Sequence, residues 1–108
     1  MSKHFFQTIH HDEPTTISMG WDKSLPTYFM EIKMESDGEA PLWSNLYYEP
    51  SNPKTLDQLL SVLNMFEIEI PVQMMTEISE NGKNNEGNKE VKHAVIDGVY
   101  RREILNAD

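Results

Sequence analysis

Apolar and polar residues alternate along most of the first 47 positions. Phe5, Gln7 and Ile9 share one face and Phe6 lies opposite, a period of two that predicts a strand over residues 5–9. Residues 10–14 read as a turn, because Asp12 favours turn geometry and Pro14 is a poor interior strand residue. Ile17 and Met19 alternate with Thr16 and Ser18 and predict a second strand over residues 15–19, which Gly20 ends or bulges. The strongest strand signal runs over residues 28–35. Tyr28, Met30, Ile32 and Met34 fall on one face, and Glu31, Lys33 and Glu35 on the other, the pattern of a half-buried antiparallel strand. Asp37-Gly38 then gives a hairpin signal, since both residues tolerate positive φ. Residues 42–47 return as a fourth strand. Leu42, Ser44 and Leu46 lie on one side, and Trp43, Asn45 and Tyr47 on the other.

Beyond a Pro-rich linker at residues 49–53 the period changes. Thr55 and Gln58 stand at capping-box spacing. Leu56, Leu59, Leu60, Leu63 and Phe66 recur as a helical stripe. Pro71 suits the start of a second helix, with Val72, Met75 and Ile78 as its apolar stripe, Met74 beside it and Asn81-Gly82 as its stop. Residues 82–89 contain no apolar side chain and read as a mobile loop. Residues 91–96 could form a fifth strand, and residues 98–105 stay open between a short helix and an extended tail. The expected fold is α+β in one domain over residues 1–108. A four-stranded antiparallel meander (about 3–48) packs as a two-layer sandwich against two helices (about 55–82), followed by the mobile loop (82–90) and a C-terminal segment (91–108). The Met30, Ile32 and Met34 face is expected against the leucine helix.

Composition narrows the function classes. The 108 residues include no cysteine, so disulfides and thiolate chemistry are excluded. Eighteen acidic residues against nine basic ones give a net charge of −9. That disfavours direct binding to nucleic acid or to an anionic membrane and would steer a basic protein partner towards the chain. No run is long and apolar enough to span a bilayer and the N-terminus does not read as a signal peptide, so the expected location is cytoplasmic. The seven methionines fall mostly on predicted apolar faces and read as core filling.

Chemistry-bearing motifs are few. His10, His11 and Asp12, with His4 and Glu13 nearby, are the nearest approach to a metal cluster, but adjacent histidines of an extended chain point to opposite faces and a structural site needs about four convergent ligands. His93 has the right pKa range for a general base, yet no nucleophile stands at a recognisable spacing. Ser44 lies in LWSNL rather than in G-x-S-x-G, and GKNNEGNK lacks the phosphate-loop pattern. No catalytic residue, resident metal or cofactor is expected. Trp21, Asp22, Trp43, Tyr47 and Tyr48 are the candidate partner-binding residues, because Trp and Tyr combine an apolar body with a polar tip. With Leu42 and Leu46 in the core, Trp43 and Tyr47 would face outward.

The segments MGWDKSLPTYFMEI, LWSNLY, PKTLDQLLSVLNMFEIEIP and NEGNKEV resemble a group of short bacterial proteins of no known activity, in which the first segment reads more like MGWDRPLQGFFMVI. The resemblance covers about residues 4–93. Lys23, Ser24 and Thr27 depart from its pattern, and it supplies no catalytic residues. It implies only a bacterial, cytoplasmic accessory protein, of a kind whose genes are found on mobile elements.

These observations lead to a non-enzymatic, acidic protein-interaction module, an accessory or regulatory factor. The alternatives are an acidic inhibitor that imitates nucleic acid in a basic groove, and a small metal-dependent enzyme built on His10, His11 and Asp12. An uncovered sheet edge would allow a homodimer.

Overall fold

A computed structural model of the chain describes residues 1–37 and 40–107. The alternating segments form β1 (Ser2–His10), β2 (Glu13–Asp22) and β3 (Thr27–Met34), joined as an antiparallel meander. His11 and Asp12, both at positive φ, make the two-residue turn between β1 and β2, the geometry whose twist matches a hairpin. Strand β2 runs through Gly20 to Asp22 rather than ending there. A Cβ at Gly20 would stand 1.8 Å from the backbone oxygen of Ser2, so close approach of β1 demands glycine. Of the expected Asp37-Gly38 turn, Gly38 and Glu39 lie outside the described residues, and Glu35–Asp37 forms one 3₁₀ turn.

The expected fourth strand shrinks to β4, Trp43–Ser44. Trp43 stands opposite Ile32 and therefore shares its core-facing side. It is 4% exposed, whereas Leu46 is 78% exposed. The outward orientation expected of Trp43 is thus corrected: the chain turns away after Ser44, whose carbonyl accepts from the Tyr47 and Tyr48 amides, and the alternation carries no face information past that point.

Helix α1 (Leu56–Met65) begins with the expected capping box at Thr55 and Gln58 and buries Leu59, Val62 and Leu63. Helix α2 (Val72–Lys83) buries Met74, Ile78 and Asn81, while Val72 is exposed. Its inward stripe thus runs through Met74, with Met75 only half-buried. The expected stop at Asn81-Gly82 is internal, because Gly82 lets the Tyr28 ring lie against the helix; a Cβ there would meet the phenol oxygen at 2.2 Å. Both helices pack on one face of the sheet against Ile17, Met19, Met30, Ile32 and Trp43, a two-layer α+β arrangement.

The larger correction is in the sheet. The tail forms two strands, β5 (Lys89–Ile96) and β6 (Val99–Ala107), and the sheet has six strands in the order β4-β3-β2-β1-β5-β6. Strand β5 lies parallel to β1 and antiparallel to β6, so the sheet is mixed rather than an antiparallel meander. The turn between β5 and β6 is Asp97-Gly98, both at positive φ. Residues 82–83 belong to α2 and Lys89 to β5, so the expected loop is shorter. Strand β6 supplies the free edge on that side, carrying Arg101, Arg102 and Glu103, charges that oppose edge-to-edge pairing.

Candidate functional site

Two arrangements stand out, one on each face of the sheet. On the helix-covered face, Ser2, His4 and Phe6 of β1 and Val91 and His93 of β5 point inward. The parallel register sets His4 beside Val91 and Phe6 beside His93, which makes the two histidines diagonal neighbours. They are 0% and 1% exposed. From α2, Glu77 and Asn81 reach down to them, four residues apart and therefore on one helical face. From β6, Arg102 stands opposite His93, and Tyr100 reaches the same ring.

The hydrogen bonds form one directed chain. Asn81 Nδ2 donates to the Glu86 carboxylate, so its Oδ1 accepts from His4 Nε2 at 2.6 Å. A neutral His4 then presents the lone pair of Nδ1 to His93 Nε2, 2.8 Å away, which donates. The remaining nitrogen, His93 Nδ1, accepts from the Tyr100 hydroxyl at 2.6 Å. Burial favours the neutral rings: desolvation lowers the pKa of His4, and desolvation together with repulsion from His4 lowers that of His93 to about 4. Beside them Glu77 is held below the usual carboxylate range. Burial alone would raise it, but hydrogen bonds from Arg102 and the charge of Lys89 outweigh that. Arg102 Nε reaches Glu77 Oε1 at 2.7 Å, while Glu77 Oε2 stands 3.7 Å from His4 Nδ1. Among the described residues, no buried side-chain nitrogen or oxygen lacks a partner.

Among the described residues, neither α-helix packs on the opposite face. There Lys3, Ser18, Phe29 and Glu31 floor a groove of about 260 Å³, whose walls are the β2–β3 connection (Asp22, Leu25) and the segment after β4 (Asn45, Leu46). Both walls are pinned. Asn45 exchanges bonds with Met30, its amide donating to the Met30 carbonyl and its Oδ1 accepting from the Met30 amide, and Thr27 Oγ1 donates to the Pro53 carbonyl at 2.8 Å. Leu25 and Leu46 are 62% and 78% exposed, and Tyr47 and Tyr48 follow in the same exposed segment.

The residues singled out from sequence divide accordingly. Trp43 and Trp21 are buried; Trp21 packs edge-on to Tyr28 and donates from Nε1 to Asn85 at 2.9 Å, so neither ring is free to anchor a partner. Asp22 reaches the groove, but its carboxylate is occupied by the Ser24 hydroxyl and amide, which hold its pKa low. Tyr47 and Tyr48 are the exposed aromatics. His10, His11 and Asp12 sit at the β1–β2 turn, where the two rings meet edge-on with centroids 4.1 Å apart. Among the described residues the histidine and carboxylate atoms that do converge are those of His4, Glu77 and His93. Glu77, Asn81, Tyr100 and Arg102 went unselected by sequence. The available signals were Asp97-Gly98, which predicts the final hairpin, and polar residues at 77 and 81 within the helical period of Met74 and Ile78.

The fold and sites define an acidic α+β domain with a buried polar cluster on the covered face and a groove on the open one. No family model matches the chain, and no curated protein and no solved structure is significantly similar to it. Among the described residues, no helix is long and apolar enough to cross a membrane.

Proposed function

We propose that the protein is an interaction module that receives an apolar side chain of a partner protein in the groove on the open face of its sheet. The observation that carries this reading is that the two segments nominated from sequence, around Asp22 and around residues 43–48, form the two walls of one groove. Its size suits a side chain: about 260 Å³ lies at the small end of the scale on which ligand pockets run to roughly 1,000 Å³. Leu25 and Leu46 supply apolar contact in the groove, and the exposed Tyr47 and Tyr48 follow Leu46 in the chain. Asp22 and Glu31, with the net charge of −9, favour a basic residue beside the inserted one. Imitation of nucleic acid has less support, because the open face interleaves Lys3, Lys33 and Lys92 with Glu31, Glu90 and Glu103 rather than presenting one sign.

The test is affinity capture from bacterial cells with three baits: wild type, Leu25→Asp/Leu46→Asp, and Val72→Asp as a helix-face control. A protein retained by wild type and by the control but depleted at least tenfold by the groove variant, and rebinding when purified, is the expected result. Identical protein sets on all three baits would reject the groove.

A further inference from the structure

We propose that His4, His93 and Glu77 form a binding site for a divalent transition-metal ion, zinc being the first to test. This is independent of the groove, which lies on the other face of the sheet.

The three donor atoms come from β1, β5 and α2, and they lie within 4.8 Å of one another. Tetrahedral zinc with bonds of about 2.0–2.1 Å to nitrogen sets its donors roughly 3.3 Å apart. The His4 Nδ1 to His93 Nε2 separation is 2.8 Å and His4 Nδ1 to Glu77 Oε2 is 3.7 Å. These two distances bracket the required one, and the third pair, His93 with Glu77, lies within 4.8 Å, so side-chain adjustment without movement of the strands or helix can seat the ion. Two imidazoles and one carboxylate, with no thiolate, match zinc and its neighbours in the transition series rather than calcium or magnesium.

The surroundings supply an outer partner for each ligand, which is what orients ligands in metal sites. Asn81 Oδ1 accepts from His4 Nε2, and this fixes the tautomer whose Nδ1 lone pair faces the ion. Arg102 Nε donates to both oxygens of Glu77, to Oε1 at 2.7 Å and more weakly to Oε2 at 3.2 Å, and it is the less tightly held Oε2 that faces His4. Tyr100 meets His93 Nδ1. On ion entry the His93 proton leaves Nε2 and one is taken up at Nδ1, so the ring stays neutral. The Tyr100 hydroxyl then turns from donor to acceptor, a role open to a phenol. The positive charges of Arg102 and Lys89 weaken the site, and Glu77 and Glu86 offset them. Because the ligands belong to three elements, binding would tie the β5–β6 hairpin to the rest of the molecule.

Chelator-treated protein is titrated with zinc chloride by calorimetry, and its thermal midpoint is read with and without one equivalent. Wild type should bind one ion per chain and melt several degrees higher. Glu77→Gln, which can keep a hydrogen bond to Arg102 and is checked for folding by circular dichroism, should weaken binding at least tenfold and lose the shift. The double variant His10→Gln/His11→Gln removes the histidine pair at the β1–β2 turn and should bind as wild type does. No binding by wild type, binding unchanged in folded Glu77→Gln, or binding lost only in the His10/His11 variant would each overturn the site.

Discussion

At Trp43 a single residue separates two readings of the chain. As an outward anchor it would be dispensable for stability; facing the core opposite Ile32 it is not. Truncating a buried aromatic removes its transfer free energy and leaves a cavity, together about 3–5 kcal/mol. Trp43→Ala should lower the stability measured by urea unfolding by that amount, while Tyr47→Ala should stay within about 0.5 kcal/mol. Equal effects would contradict the placement of Trp43. The same scale explains why the histidine cluster was only half legible. His4 and His93 both drew attention in sequence, but 88 intervening residues separate them, and nothing local encodes the parallel register that joins them. The pair at positions 10 and 11, adjacent in sequence, carried the stronger apparent signal, yet among the described residues it is not part of a group of three converging ligands.

Among the elements, those with a complete local code formed where the pattern put them. The first three strands and the leucine helix have period, turn chemistry and cap in agreement. In α1 the Gln58 side-chain oxygen accepts from the backbone of both Lys54, at 2.9 Å, and Thr55, at 3.3 Å, satisfying donors that a helix start leaves free. Gln58→Ala should therefore cost about 0.5–1.5 kcal/mol, read as a shift in unfolding midpoint, and Gln58→Glu should restore most of it because a carboxylate also accepts and suits a helix N-terminus. Equal loss in both variants would show that the cap is not the source. Elements that depend on distant partners were less legible. Strand β6 owes its form to β5, and the inward face of α2 was misassigned because Val72 completes a helical period as well as Met74 does. Only the sheet beneath decides between them.

For the molecule as a whole, the mixed sheet divides labour between its faces. The helix-covered face holds the apolar core and the histidine cluster. The open face has mixed charge, half-exposed Phe5 and Phe29, and a groove walled by segments that other parts of the chain pin in place. The acidic balance and the absence of recognisable catalytic motifs were readable from composition, but the convergence of residues 22–25 with residues 45–52 was not. It depends on β4 stopping after two residues so that the following segment folds back over the sheet. Photo-crosslinking in bacterial cells tests the central claim most directly, with the reactive side chain placed at position 46 in the groove wall or at position 72 on the exposed side of α2. The account predicts a discrete adduct to one protein from position 46 and none from position 72. The same adducts from both positions, or none from position 46, would contradict it.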